Sequence, residues 1–344
     1  LTGIQLTNYN ITTVAGSLTV TPAPLTITAT NATMTYGAST LPNLVATPIG
    51  LVNGDTLSGS LATTATAYSG AAGSASGVGS YPITQGGITA GPNYTITFVP
   101  GVLTVNPAAL TIAGTAQSAV YGAGANLSSS AYIASGLVNG DSVSSVTALY
   151  AGSASVPPTT NAGTYANAVT IGAANGVGLS NYAITYVPAN LTITQAPLTI
   201  TANNQSMTYG SNALPALTYA VSGLVNGDAL TGALTTTATA YNGATGSASS
   251  VGAYPITQGT LAASNNYAVT FTPAVLTVNP ATLTISAAPQ SATYGVGIAN
   301  LGTSQFTSAG LVNGDAIGGV TIQYNGAANV PALTNAQVYT NALI

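Results

Sequence analysis

The sequence repeats itself over a long period. LTITATNATMTYG begins at Leu25, LTIAGTAQSAVYG at Leu110, LTITANNQSMTYG at Leu198 and LTISAAPQSATYG at Leu283, so the four starts are almost evenly spaced. A fixed period means that one structural unit has been built several times over, and its length limits what that unit can be. A repeat of about 86 residues is too long for one turn of a solenoid and suits one small β-sandwich. The first and third copies share TATAY, YPITQG and VLTVNPA. The second and fourth share a different middle, VP and then TNA, followed by Tyr165 or Tyr339. The order is therefore A-B-A-B, with a higher period that carries Leu25 onto Leu198 and Leu110 onto Leu283.

Local patterning gives the same fold class. LTITAT and VLTV alternate apolar residues with Thr, the two-residue period of a half-buried strand. YPITQ and NYTITFVP recur between Gly, Asn and Pro turn signals. Thr, Val, Ile and Tyr favour strands, while Glu, Lys and Arg, which favour helices, are absent. The reading is an all-β chain of tandem antiparallel β-sandwich domains in a linear A-B-A-B array. Each repeat should hold about seven short strands, largely antiparallel, with Pro100 and Pro188 near hairpin turns before the last strand. Residues 1–24 match 174–197 and are assigned as closing strands of a B-type repeat. An A-type sandwich follows over 25–109, a B-type over 110–197, an A-type over 198–282 and an incomplete B-type over 283–344. Either this is a window on a longer array, the simpler reading, or the N-terminal strands of one molecule complete the last domain of its neighbour by strand addition. Pro22, Pro24, Pro107, Pro197 and Pro280 should stiffen the short junctions. The expected object is a stiff rod to which each repeat adds roughly 40 Å.

Composition narrows the chemistry. The chain has no Lys, Arg, His, Glu, Cys or Trp, and its only formally charged side chains are Asp55, Asp141, Asp228 and Asp315. Without imidazole, thiol or amine there is no common general base or covalent nucleophile of those kinds, so no enzyme is expected. Zinc, iron and copper sites normally need His or Cys, and no cofactor is assigned. Nucleic-acid binding needs cations to neutralise phosphates. No apolar run is long enough to insert this segment into a membrane as a helix. The absence of Lys also rules out Lys–Asn isopeptide cross-links. The absence of Lys and Arg leaves trypsin-type proteases no site, which fits life outside a cell.

All four carboxylates sit in one phrase, GLVNGD, at 50–55, 136–141, 223–228 and 310–315. Asn-Gly suits a tight turn in which both residues take positive φ. Asn53-Gly54-Asp55, Asn139-Gly140-Asp141, Asn226-Gly227-Asp228 and Asn313-Gly314-Asp315 are thus read as structural turns, with each Asp accepting backbone N–H groups of its loop. The competing reading is calcium bound at Asp55, Asp141, Asp228 and Asp315, and one carboxylate per repeat is a poor start for a cation that takes six to eight oxygens. Tyr36, Tyr121, Tyr209 and Tyr294 each precede Gly, and Tyr81, Tyr165, Tyr254 and Tyr339 follow small-residue turns. A third set, Tyr9, Tyr94, Tyr182 and Tyr267, follows Asn. Once-per-repeat regularity favours rings that fill cores while their hydroxyls tie loops, rather than rings that stack on sugars. Asn10, Asn31, Asn93, Asn126, Asn190 and Asn204 match the glycosylation sequon by pattern alone.

The succession LTITANNQSMTYG, SGLVNGD, YPIT and NYAVTFTPAVLTVNPA resembles the MBG-type repeat of the Tyr-Gly variety, over the whole chain and more closely in the A copies. Such repeats occur in tandem in large bacterial surface and secreted proteins, including filamentous-haemagglutinin-like adhesins. The resemblance implies an Ig-like β-sandwich in a stalk or fibre and carries no catalytic residues. The family's repeats often contain Lys and Asp between these landmarks, and their scarcity here is a departure that suggests an unusual environment or tight packing against neighbours.

The function expected is structural: a segment of an extracellular or cell-surface fibre, stalk or sheath. Near-neutral faces oppose association little, so self-assembly into filaments is expected, with copies of the chain or further repeats as partners. The alternative is an adhesin module whose loops recognise glycans or cell-surface proteins. The A copies differ little at their loops, which favours the spacer.

Overall fold

The computed structural model describes residues 2, 5–340 and 342–344. The chain divides into two compact units, one of residues 1–117, 126–156 and 164–191, the other of 118–125, 157–163 and 192–344.

In the first unit the first A repeat forms seven strands: β1 (Ala23–Ala29), β2 (Ala32–Thr35), β3 (Ala46–Ile49), β4 (Ala62–Thr63), β5 (Gly79–Thr84), β6 (Tyr94–Val99) and β7 (Gly101–Asn106). They make two sheets, ordered β3-β1-β6 and β2-β7-β5-β4. Alternation decides what faces inward. Leu25, Ile27 and Ala29 of β1, Ile83 of β5, and Leu103 and Val105 of β7 are buried, while the Thr residues between them look outward or sit half-buried. Each such Leu or Ile stabilises the sandwich by about 1.5–3 kcal/mol.

The sheets are mixed, where largely antiparallel pairing was expected. β1 pairs with β3, β4 with β5, and β5 with β7 antiparallel, but β1 runs parallel to β6 and β2 parallel to β7. The two parallel registers share one offset along the chain: Ala23 faces Tyr94, and Thr35 faces Asn106 with the same separation in sequence. β1–β2 and β6–β7 are thus two long strands that travel side by side and cross together from one sheet to the other. Pro100 marks that crossing and not a hairpin turn. It has no N–H to leave unpaired between sheets, and Asn31 Oδ1 accepts the Val102 N–H just beyond it at 2.8 Å. A side chain at Gly101 would run into the Ala29 carbonyl.

The first B repeat adds β8 (Ala108–Gly114), β9 (Gln117–Val120), β10 (Ala125–Asn126), β11 (Tyr132–Ser135), β12 (Ser142–Tyr150), β13 (Ser155–Val156), β14 (Gly163–Val177), β15 (Tyr182–Val187) and β16 (Ala189–Thr194). β8 again lies between an antiparallel strand, β11, and a parallel one, β15. Pro188 separates β15 from β16, as Pro100 separates β6 from β7. Pro107 alone separates β7 from β8.

The second unit holds the second A repeat, β17 (Ala196–Ala202), β18 (Gln205–Thr208), β19 (Tyr219–Ser222), β20 (Thr235–Thr236), β21 (Gly252–Thr257), β22 (Tyr267–Thr272) and β23 (Ala274–Asn279). Its sheets are β19-β17-β22 and β18-β23-β21-β20, and its two parallel registers repeat the offset of the first A repeat, with Ala196 facing Tyr267 and Thr208 facing Asn279. Pro24 and Pro197 lie inside β1 and β17 rather than in junctions. Each precedes the reach of its antiparallel neighbour, which first pairs at Thr26 or Thr199, so the missing donor costs the sheet nothing.

The fourth repeat shows two regular strands among the described residues, β24 (Thr284–Ala287) and β25 (Phe306–Ala309). Leu301, Ile322 and Tyr324 form a small buried cluster there, beside a cavity of about 1090 Å³. Of the closing strands expected over 1–24, none is formed among the described residues before Ala23, where β1 begins. Leu1, Gly3 and Ile4 lie outside the described residues, and residues 9–22 are exposed and without strand. Leu18 is 89% exposed, against 1% for its counterpart Leu191 in the complete B repeat, because β16 has a sheet to join and residues 9–22 have none. No helix among the described residues is long and apolar enough to cross a membrane.

Candidate functional site: the clasp between successive repeats

All four V-N-G-D segments fold into the same turn. Asn53, Asn139, Asn226 and Asn313 have φ between 55 and 59°, and the glycines that follow have φ between 77 and 80°. The Asp N–H donates to the Val carbonyl three residues back at 3.0 Å in every copy. Paired left-handed residues are cheap only for Asn and Gly, which is why the phrase recurs unchanged.

Among the described residues no loop N–H donates to these carboxylates. They accept tyrosine hydroxyls. Tyr182 OH donates to Asp141 Oδ2 at 2.8 Å from within the same repeat, and Tyr94 and Tyr267 donate to Asp55 and Asp228 at 2.7 Å each. The second donor comes from the repeat before. Tyr36 OH reaches Asp141 Oδ2 at 2.8 Å, Tyr121 reaches Asp228 at 2.9 Å, and Tyr209 reaches Asp315 at 2.9 Å. One anion thus ties the Tyr-Gly end of one repeat to the Asn-Gly turn of the next. The two rings meet edge-to-face, with centroids 5.5 Å apart for Tyr36–Tyr182 and for Tyr121–Tyr267.

The glycine after each tyrosine completes the fit. Gly37, Gly122 and Gly210 take positive φ, and a Cβ on any of them would fall inside the side chain of Val138, Val225 or Val312 of the following turn. The valine sits where only a missing side chain leaves room.

The joints alternate in the burial and bonding of the turn asparagine. From A to B, Asn139 is buried: its Nδ2 donates to Tyr36 OH at 2.8 Å, its Oδ1 accepts the Ala75 N–H at 3.0 Å, and its carbonyl accepts the Gly73 N–H at 2.9 Å. Asn313 repeats this with Tyr209, Ala248 and Gly246. From B to A, Asn226 is exposed and its Nδ2 donates to the Pro158 carbonyl at 3.1 Å. The asparagine preceding the third set of tyrosines adds one more tie: Asn181 Oδ1 accepts the Val78 N–H at 2.9 Å, and Asn266 Oδ1 accepts the Ala162 N–H at 2.8 Å.

Four hydroxyls of the clasps, those of Tyr36, Tyr94, Tyr182 and Tyr267, titrate above their ordinary value. Tyr182 is pushed up to about 12, by desolvation first, against the opposing effect of the Val138 N–H that donates to its oxygen, and with the Asp141 carboxylate raising it further. Tyr36 and Tyr267 are raised by burial first, and Tyr94 chiefly by its bond to Asp55.

The remaining tyrosines do other work. Tyr81 OH and Tyr254 OH donate to the carbonyls of Gly77 and Ser250, four residues back. Tyr165 and Tyr339 stack edge-to-face on Tyr150 and Tyr324. Tyr294 is 62% exposed, while Tyr36 and Tyr121, each covered by a following turn, are 3% and 6% exposed. Of the sequon asparagines, Asn31, Asn190 and Asn204 spend their Oδ1 on the N–H groups of Val102, Asn167 and Val275. No group of three potential metal-ligating side chains of the His, Cys, Asp and Glu types occurs among the described residues.

Residues 25–104, 110–192 and 198–277 match the family model described as MBG domain (YGX type). No curated protein matches the chain. Among solved structures, the eight N-terminal Ig domains of Down Syndrome Cell Adhesion Molecule isoform 1.30.30 align at 12% identity over 93% of this chain and 51% of that one, with a TM-score of 0.21. The four N-terminal Ig domains of Dscam1 isoform 9.44 align at 12% identity over 74% and 73%, with a TM-score of 0.19. The chain spans about half the length of the first of these.

Proposed function

Since the chain belongs to the MBG domain family, YGX type, we propose that it is a structural segment of an extracellular bacterial surface fibre, stalk or sheath. Its work is mechanical: it carries length and passes tension from repeat to repeat. The single observation that supports this best is the clasp. The same tyrosine, glycine, valine and aspartate meet at all three junctions, and all four are unchanged in every repeat. A chain that holds its few charges at its joints leaves neutral Thr-, Ser- and Asn-rich faces free to pack on copies of itself, because little repulsion opposes contact.

Electron microscopy and sedimentation of the purified chain at low and high salt test both halves. Filaments or bundles at either salt concentration support the reading. A strictly monomeric species at high protein concentration overturns self-association. Loss of a fixed inter-repeat distance in Asp141→Ala, read by paired spin labels in the first A and B repeats, is the outcome expected for a load path through the clasp.

A further inference from the structure

Four identical hexapeptides in different surroundings make a chemical experiment inside one chain. Asn-Gly is the dipeptide most open to spontaneous deamidation, because glycine has no side chain to shield its own nitrogen. We propose that the exposed pairs Asn53-Gly54 and Asn226-Gly227 are deamidation sites, and that the A-to-B joint protects the same pairs at Asn139-Gly140 and Asn313-Gly314.

The chemistry needs only water and mild base. Hydroxide removes the glycine N–H proton, and the nitrogen attacks the asparagine Cγ. The bond from Cγ to the side-chain nitrogen breaks, and that nitrogen leaves as ammonia after taking a proton from water. The five-membered imide that remains is opened by water at either carbonyl, giving aspartate or isoaspartate. No electron transfer is involved.

The attack requires the side-chain amide to rotate toward the backbone. At Asn139 the amide is buried and held at both ends, by Tyr36 OH and by the Ala75 N–H, and Asn313 is held likewise by Tyr209 OH and the Ala248 N–H. Both bonds must break before the ring can close. Asn226 is exposed, with one bond to the Pro158 carbonyl, and Asn53 is exposed with no side-chain bond among the described residues. The flanking residues Leu, Val and Asp are the same at all four sites, so sequence contributes no difference between them.

The product alters the joint it sits in. A carboxylate at residue 226 replaces the donor that faced the Pro158 carbonyl with an acceptor, two residues from the Asp228 anion. Isoaspartate also lengthens the backbone inside a left-handed turn. The B-to-A joint therefore gains charge and loses a bond with age, while the A-to-B joints do not.

The test is incubation of the folded full chain in warm, mildly alkaline heavy-oxygen water, followed by acid-protease digestion and mass spectrometry. Conversion at Asn53 and Asn226 should outpace Asn139 and Asn313 by roughly tenfold or more, the effect of two hydrogen bonds that must first open. The exposed Asn242-Gly243 pair lies outside any joint, its side chain held only by the local Ala244 N–H, and provides an internal reference. In denaturant the four hexapeptides should converge on one rate. Tyr36→Phe should accelerate Asn139 and leave Asn313 unchanged. Equal rates at all four sites in the folded chain, retention of all four amides, or a spread that persists in denaturant would each overturn the proposal.

Discussion

The hydroxyl of Tyr36 lies 2.8 Å from Asp141 Oδ2, across 105 residues of sequence and from one repeat into the next. The same oxygen takes the hydroxyl of Tyr182 at 2.8 Å. A carboxylate accepts such bonds more strongly than any neutral oxygen, and here two phenols depend on one anion. Asp141→Ala should cost the first A-to-B joint roughly 2–4 kcal/mol, since it removes two charge-assisted bonds and strands their donors. Hydrogen exchange at the Gly73 and Ala75 amides, which close onto Asn139, should speed up, while exchange at Ile27 in the sheet core should not. Unchanged exchange at Gly73 would show that the carboxylate is not holding the joint.

Gly37 and Val138 make a matched pair. Gly37→Ala places a methyl where Val138 stands, in a left-handed backbone that already disfavours it, and should cost about 1–3 kcal/mol. Val138→Ala opens the space. The double variant should recover the packing part of the loss and leave the backbone part, which a double-mutant cycle on urea denaturation measures. Strict additivity would mean the two residues do not meet.

Alkaline pH should open the clasps before the sandwiches. The phenol of Tyr182 is held up to about 12, above its ordinary value of 10.0. The folded form therefore keeps its proton where the unfolded chain has lost it. The stability this confers is complete below pH 10 and is lost as pH rises toward 12. Thermal melting followed across that window should show a downward slope, and Tyr182→Phe should flatten it. A slope unchanged in Tyr182→Phe would assign the effect elsewhere.

The alternation of joints has its own signature. Asn139→Ala removes bonds to Tyr36 and Ala75 as well as a residue suited to positive φ, and should destabilise its joint by about 2–3 kcal/mol. Asn226→Ala loses the backbone preference and one exposed bond, roughly 1 kcal/mol. Denaturation midpoints of the two variants should fall in that order, and the reverse order would contradict the geometry.

Strand alternation in LTITAT and the left-handed turn in VNGD are local properties, set by side-chain period and by residues that tolerate positive φ, and both could be read from the sequence. The A repeats have seven strands and the complete B repeat nine. The parallel pairing of β1 with β6 could not be read, because LTITATNATMTYG looks like one alternating run and nothing local says that it changes sheets at Thr30 and Asn31. The role of the aspartates was hidden for a related reason. One partner lies 39 to 41 residues away in the same repeat, and the other 105 to 107 residues away in the repeat before. A signal did exist. Tyr-Gly and GLVNGD each occur once per repeat and vary less than the strands between them, which is unusual for two turns with no neighbour to satisfy.

The constant register between the first and last strands of an A repeat has a mechanical result. The chain enters that repeat at Ala23 and leaves at Asn106, at opposite ends of two strands that point the same way. A pull on the two ends loads that ladder in shear, so its rungs share the load and fail together, whereas a hairpin would unzip one rung at a time.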